Sequence, residues 1–166
     1  GFVLRSPHPH AKILSIDTSA AEATAGVSAV VTGADFPNVQ DKIAHLGEGS
    51  VNLAHLSANC MAKGKVLYRG HAVAAVSATN AHIAEEAAAK IVVEYEILPS
   101  VTDIMEAMAD DAPLLHADLF TDDLGQKADT ASNVAVHMHF EKGDVAAGFE
   151  QADVVVAAEF KTATVH

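Results

Sequence analysis

The chain has 166 residues, of which 50% are apolar and 5% aromatic, and because it lacks tryptophan its core must be built from Ala, Val, Ile and Leu. Lys and Arg number 10 against 22 Asp and Glu, and the net charge of -12 excludes nucleic acid and anionic membrane surfaces as expected partners. The single Cys60 excludes an internal disulfide and an iron–sulfur cluster, which needs about four thiolates. No apolar run approaches the ~18 residues of a membrane span, so we expect a soluble, cytoplasmic protein.

The amino-terminal residues resemble the end of a strand. Phe2, Val3 and Leu4 are apolar and no Met precedes them, so we expect the chain to have been cut from a longer protein. Pro7 and Pro9 fix their own φ angles and push the preceding residues into extended conformations, which excludes a helix there.

A strand–helix–strand unit is predicted next. Residues 11–17 have a strand-like pattern, Asp17 begins a capping sequence for a short alanine-rich helix, and Gly26 can end that helix in a left-handed conformation. A second strand is predicted over 27–32. Residues 38–64 show no sustained period and predict a long loop with at most one helical turn.

A second unit of the same kind occupies residues 72–97 and faintly echoes the first. Residues 72–78 are small and apolar, which predicts a strand buried on both faces. Asn80 can cap a helix whose apolar face carries Ile83, Ala87 and Ile91.

The opposite face of this helix is polar. His82, Glu85 and Glu86 are expected to be exposed, and Glu86 precedes Lys90 by the spacing that favours an ion pair. The following strand should turn Val93, Tyr95 and Ile97 to one side. Pro99 ends it, because proline cannot donate to a sheet ladder.

The last third of the chain predicts a helix, a connector and a second domain. Residues 101–109 favour a helix with Ile104, Met105 and Met108 on one side. Residues 111–133 are rich in Asp, Thr, Ala and Gly and predict an extended connector. Beyond it we predict a half-buried strand over 134–141, a helix over 145–151 capped by Asp144, and a long strand over 154–165.

The histidines invite a metal site, but none is predicted. His137 and His139 share a strand face, yet no acidic or cysteine ligand accompanies them at a recognisable spacing. His8 and His10 alternate with prolines, which favours packing or an interface. A helical metal site could use His82, Glu85 and Glu86 as some of its ligands, but the sequence offers no further ligands to complete it. We therefore expect His137, His139 and His82 to be solvated side chains.

No catalytic or cofactor-binding residue is predicted either. Residues 47–49 lack the third glycine of a dinucleotide fingerprint, and Gly64-Lys65 follows no phosphate-cradling glycine run. Ser100 and Ser132 lie outside any nucleophile elbow. Arg69-Gly70-His71 is the most specific small motif, and Gly70 is expected to provide a bend or a close backbone approach, with contact to another domain as the alternative.

Several motifs together resemble one enzyme family. The segments RSPHPHAKI, VSAVVTGADFP, RGHAVAAV, VVEYEILP, APLLH and FEKGDVAAGFEQADVVV occur in an order similar to that of the large, molybdenum-binding subunit of the xanthine dehydrogenase/aldehyde oxidase family. The family also includes carbon monoxide, nicotinate and 4-hydroxybenzoyl-CoA enzymes.

The resemblance implies an α+β fold, the α/β hammerhead, with repeated strand–helix–strand units and a mixed sheet. It implies a hammerhead domain at 1–110, a connector at 111–133 and the truncated start of the molybdenum-cofactor-binding domain at 134–166. This fragment is then a non-catalytic scaffold of a molybdopterin-dependent oxidoreductase, without a cofactor of its own.

The implied partners are the downstream molybdenum-binding domains and the iron–sulfur and flavin subunits or domains of the parent enzyme. The alternative is a freestanding small α/β binding or interaction module. An open reading frame that continues past His166 favours the fragment, and a stop codon there favours the module.

Overall fold

The architecture comes from a computed structural model that describes residues 1–40, 42–45, 50–123 and 126–163. Its strands and helices in chain order are β1 (Phe2–Arg5), β2 (Ala11–Asp17), α1 (Ser19–Glu22), β3 (Val27–Thr32), β4 (Ile43–His45), β5 (Ser50–Asn52), α2 (Leu53–Cys60), β6 (Lys65–Val66), β7 (Ala72–Ala78), α3 (Ala81–Ala88), β8 (Val92–Ile97), α4 (Ile104–Ala107), β9 (Phe120–Asp123), β10 (Gln126–Ala131), β11 (Val136–His137) and α5 (Val145–Glu150). A 3-10 turn at Gly33–Asp35 follows β3. The predicted α+β class is confirmed.

The two strand–helix–strand units exchange strands with each other. β3, the last strand of the first unit, pairs antiparallel with β7, the first strand of the second, and β1 covers the other edge of β7. β2 pairs antiparallel with β8 and carries the short β6 on its other edge. Each unit therefore supplies one strand to each three-stranded antiparallel sheet, which ties residues 1–99 into one folded body.

Small apolar side chains fill the core, as the composition requires. One cluster joins β7 to α1 and α3 and consists of Ala21, Ala74, Val76, Ala84, Ala87, Ala88 and Ile91. A second cluster consists of Ala11, Ala62, Val66 and Val73. Ile16 and Val93 pack against both clusters, so the two sheets share a continuous apolar interior.

Helix α3 confirms most of its predicted pattern. Asn80 caps it by accepting a hydrogen bond from the Ile83 N–H at 3.0 Å, and Ala87 and Ile91 are buried. The expected Glu86–Lys90 pair is not found among the described contacts. Lys90 Nζ instead donates to Thr24 Oγ1 at 3.0 Å, which links α3 to the residues after α1.

Strand β8 spans Val92–Ile97 as predicted, and its alternate residues Val93, Tyr95 and Ile97 are not equally buried. Val93 and Tyr95 are half-buried, but Ile97 is 67% exposed. Ile97 is the last residue of a strand that lies at the edge of its sheet in the described part of the chain, and such a residue has little to pack against.

The prediction of a long loop at 38–64 with at most one helical turn is wrong. β4 and β5 form an antiparallel pair, and the eight-residue helix α2 follows β5 directly. Asn52 caps α2, since its Oδ1 accepts from the backbone N–H groups of Ala54 at 2.9 Å and His55 at 3.4 Å. Residues 47–49, which were considered as a glycine motif, lie outside the described residues.

The predicted helix at 101–109 is shorter in the structure. Asp103 caps α4, which spans Ile104–Ala107, and the side chains expected on its apolar side, Ile104, Met105 and Met108, are exposed. A helix of four residues, one of them the charged Glu106, cannot bury an apolar face without a partner surface.

The prediction that residues 111–133 lack packed elements is also wrong. β9 pairs antiparallel with β10 and parallel with the short β11, which gives the mixed sheet expected of the fold. A half-buried strand was predicted over 134–141, but the structure has only the two-residue strand β11 there, and both of its residues are exposed. Asp144 caps α5 as predicted.

The predicted strand over 154–165 is not formed in its described part. Residues 154–163 have no regular secondary structure and are exposed, and residues 164–166 lie outside the described chain. An extended apolar segment becomes a strand only where a ladder partner satisfies its backbone. Among the described residues, none of the helices has the length and apolar character needed to cross a membrane.

Candidate functional site

Three of the sequence motifs converge on one cavity of about 400 Å³. The amino-terminal PHPH segment supplies Pro9 and His10, the RGH segment supplies Arg69, and the PLLH segment supplies Leu115 and His116. These segments are far apart in sequence. The remaining walls come from the residues around Pro99 and α4 and from Asn133.

His71 lies behind the cavity wall, in contact with the lining residues Leu67 and Tyr68. Its side chain is fully buried, its Nδ1 accepts a hydrogen bond from the Leu67 N–H at 3.2 Å, and its Nε2 lies 2.8 Å from the Ala58 carbonyl oxygen. A ring that accepts at Nδ1 carries its proton on Nε2, and Nε2 therefore donates to Ala58. The Tyr68 ring stacks on it with centroids 4.4 Å apart.

Burial holds the pKa of His71 below its usual value, against the smaller opposing effect of the backbone hydrogen bonds to Ala58 and Asn59. Protonation of Nδ1 would also be unfavourable, because the new hydrogen would face the hydrogen of the Leu67 N–H. His71 is thus a neutral structural histidine that joins β7 to the end of α2.

Backbone hydrogen bonds tie the RSPHPH segment to the RGH segment. The Ser6 N–H donates to the His71 carbonyl at 2.9 Å, and the Gly70 N–H donates to the Ser6 carbonyl at 2.8 Å. The Arg5 guanidinium donates to the Gly70 carbonyl at 2.9 Å. Gly70 has a φ of 89°, a left-handed conformation that favours glycine. The predicted bend at Gly70 is confirmed.

The two histidines of the amino-terminal motif have packing contacts. His10 is buried, and its Nδ1 lies 2.6 Å from the Pro99 carbonyl oxygen, while its Nε2 is buried without a hydrogen-bond partner in the described structure. The His8 ring packs edge-on against Tyr95 with centroids 5.0 Å apart. Both contacts agree with the packing role predicted for this motif.

Asn133 organises the opposite wall of the cavity. Its Oδ1 accepts from the Leu115 N–H at 3.0 Å, and its Nδ2 donates to the carbonyls of Ala107 and Pro113, each at 3.0 Å. Lys65 Nζ donates to the Leu115 carbonyl. Burial lowers the pKa of Lys65, while the charge of Asp118 raises it by less.

Beside the cavity the structure brings together three residues that sequence analysis did not single out. His55, His116 and Asp118 each offer one ligand atom, and these three atoms lie within 4.8 Å of one another. The two imidazole rings stack with centroids 4.8 Å apart and an interplanar angle of 26°. The pKa of His116 lies below its usual value, mainly because the ring is partly buried and to a smaller extent because His55 is its neighbour.

Of the other residues considered from the sequence, His10 and Lys65 lie close enough to influence His116, whereas the following residues are not brought to this cluster. His82 lies on the exposed face of α3, and His139 Nε2 contacts Glu141 at 3.4 Å on the surface. Ser132 Oγ lies 2.8 Å from Thr121 Oγ1 and accepts from the Val134 N–H at 3.0 Å, which is a structural role. Cys60 is a free, exposed thiol. Ser100 is exposed at the mouth of the cavity.

Comparison with known families and proteins gives a consistent result. Residues 1–99 match the family described as aldehyde oxidase and xanthine dehydrogenase, a/b hammerhead domain. The probable hypoxanthine oxidase XdhD of Escherichia coli O157:H7 is 34% identical over 184 residues, which cover 96% of this chain and 19% of that protein. The carbon monoxide dehydrogenase large chain of Afipia carboxidovorans is 40% identical over 119 residues, covering 72% of this chain and 14% of that protein.

Solved structures agree with these sequence matches. Reconstituted CO dehydrogenase from Oligotropha carboxidovorans superposes with a TM-score of 0.67 at 35% identity, covering 92% of this chain and 18% of that one. The chain thus spans a fifth or less of the relatives just named. With the interlocked units of residues 1–99 described above, the family match establishes that this chain belongs to the aldehyde oxidase and xanthine dehydrogenase a/b hammerhead family.

Proposed function

We propose that this chain is a non-catalytic scaffold of a molybdopterin-dependent oxidoreductase large subunit. The main support is that the polar groups of the motif residues are already engaged in hydrogen bonds within this chain. The side chains of His71 and Asn133 hydrogen-bond to backbone atoms of other segments, and the backbone of Ser6 bonds to the backbone of His71 and Gly70. These polar groups therefore fix the positions of loops. Groups that are committed in this way are poorly placed to exchange protons or electrons with a substrate.

The exposed apolar residues at the carboxyl-terminal end support docking against further protein. Phe140 is 89% exposed, Val156 85% and Phe160 89%, and they are joined by Met138, Phe149, Val154 and Val155. Apolar patches of this kind typically mark contact surfaces. We propose that the downstream molybdenum-binding domains cover them, and that the backbone of 154–163 gains its ladder partner there.

The proposed domain limits follow from this interpretation. The hammerhead domain occupies 1–110 and the start of the next domain 134–166. Residues 111–133 join them, although β9 and β10 give this connector a folded hairpin. We further propose that iron–sulfur and flavin subunits or domains complete the enzyme and that it works in the cytoplasm.

The molybdenum–pterin cofactor is proposed to lie in those other domains. The described residues do not fit it well: the amide of Asn133 in the cavity wall already makes three hydrogen bonds. Most of the other side chains that line the cavity are apolar. A pterin needs several convergent donors and acceptors that are free to bind it.

Substitution of the exposed segment in the complete protein tests the scaffold role. Val156→Asp places a charge in the proposed contact surface, and we expect it to lower the molybdenum content and turnover of the purified protein together. Glu159→Asp is the matched control and should change neither. Full molybdenum content and turnover in Val156→Asp would contradict docking through this segment.

A further inference from the structure

His55, His116 and Asp118 lie together although they come from two distant segments. His55 is in the first turn of α2, and the other two belong to the turn that leads into β9. Both histidines are half-buried, while Asp118 is exposed. The cluster is therefore open to solvent on its carboxylate side and walled by protein on its imidazole side, an arrangement that admits an ion.

The two segments are held in place from outside the cluster. Asn52 fixes the backbone N–H of His55 as the cap of α2. The residue before His116 is held at both of its backbone polar groups, because its N–H donates to Asn133 and its carbonyl accepts from Lys65. Ligands that are positioned by a supporting shell of hydrogen bonds are the usual condition for a metal site of useful affinity.

The donor set selects a class of ion. Two imidazole nitrogens and one carboxylate oxygen suit zinc and similar divalent transition metals, whereas magnesium and calcium prefer oxygen ligands alone. In a tetrahedral site with ligand distances near 2.0–2.1 Å, neighbouring ligand atoms lie ~3.3 Å apart. The three ligand atoms already lie within 4.8 Å of one another, so side-chain rotation is the movement that would bring them to that spacing.

We propose that His55, His116 and Asp118 form a binding site for a divalent transition metal ion of the zinc class, with the fourth coordination position left to a small ligand. The site is independent of the proposed scaffold function. The ion would connect α2 to the turn before β9, because His55 lies in the first segment and His116 and Asp118 lie in the second. The Lys65 ammonium, which lies close enough to influence Asp118 and His116, opposes the ion's charge and limits its affinity.

Zinc binding by the purified protein that carries this chain tests the proposal. The protein is stripped with a chelator, titrated with Zn²⁺, and analysed for bound zinc and for Tm. We expect wild type to bind one equivalent more than His116→Ala or Asp118→Asn, and its Tm to rise with zinc concentration. Each substitution should weaken binding at that site by at least about tenfold.

Two comparisons keep the result interpretable. Asp118→Asn preserves the size of an exposed side chain, so its Tm in chelator should equal that of wild type even if His116→Ala is less stable. His82→Ala removes an exposed histidine of α3 and should bind zinc as wild type does. Equal zinc binding by wild type and Asp118→Asn, or zinc bound without a rise in Tm, would overturn the proposal. Molybdenum content and turnover, measured in the same samples, report separately on the scaffold function.

Discussion

The side-chain carbonyl of Asn133 accepts the backbone N–H of Leu115 at 3.0 Å, across 18 residues of sequence. The same amide donates to Ala107 and Pro113. One side chain therefore joins the end of α4, the turn before β9 and the entry to β11. A buried or half-buried amide that satisfies three backbone groups cannot be replaced by an apolar side chain without leaving those groups unpaired.

Asn133→Ala should lower the free energy of unfolding by about 1–3 kcal/mol, because up to three backbone groups lose their partner. Denaturant melts of wild type and variant give the difference. Asn59→Ala, at an exposed position at the end of α2, is the matched control and should change stability by no more than about 0.5 kcal/mol. Equal stabilities of the Asn133 and Asn59 variants would contradict the joining role of Asn133.

Gly33→Ala should be strongly destabilising for steric reasons. A Cβ at Gly33 would lie 2.2 Å from the carbonyl oxygen of Ala62, a backbone atom that cannot move without disturbing the second core cluster. We expect a loss of about 1–3 kcal/mol. Gly148→Ala lies in α5 with open space around it and should be neutral or slightly stabilising. A Gly33→Ala variant as stable as Gly148→Ala would show that the 3-10 turn after β3 and residue 62 are less tightly packed than described.

The local signals of the sequence predicted the hammerhead part well. Capping residues such as Asn80 and Asp144 act on the helix that follows them, so their effect is readable from neighbouring residues. Strand 72–78 is largely buried and pairs with strand 27–32, which is half-buried to exposed. Their apolar runs were sufficient to predict both.

The remaining elements depend on partners that are not adjacent in sequence. β9 and β10 are rich in Asp, Thr and Ala and form through pairing with each other, so their composition indicated a connector. The apolar run 154–163 indicated a strand but has no ladder partner in the described chain. His55 and His116 escaped notice because both lie in segments for which no regular structure was predicted.

Acid should destabilise the protein through His71. Because burial lowers the pKa of His71 below the unfolded value of 6.5, the unfolded chain takes up a proton at a pH where the folded chain does not. The contribution of His71 to the free energy of unfolding is therefore complete above about pH 6.5. It is lost as the pH falls towards the pKa of His71 in the folded state. His116 has a pKa lowered in the same direction and adds to the effect.

Urea melts at a series of pH values between about 5 and 8 measure this dependence. His71→Gln should be less stable than wild type at pH 8 but should lose less stability on acidification. His82→Gln, at an exposed position on α3, should keep the wild-type slope. An unchanged slope in His71→Gln would mean that His71 titrates alike in the folded and unfolded states.

The most direct test of the scaffold account is to purify the 166-residue chain and to measure its unfolding, molybdenum content and turnover in one preparation. Purines, aldehydes, nicotinate and carbon monoxide serve as substrates with an artificial electron acceptor. The interlocked sheets of residues 1–99 share one apolar core, so we predict a cooperative melt without bound molybdenum and without turnover. Turnover above background in a sample that contains stoichiometric molybdenum would contradict the account.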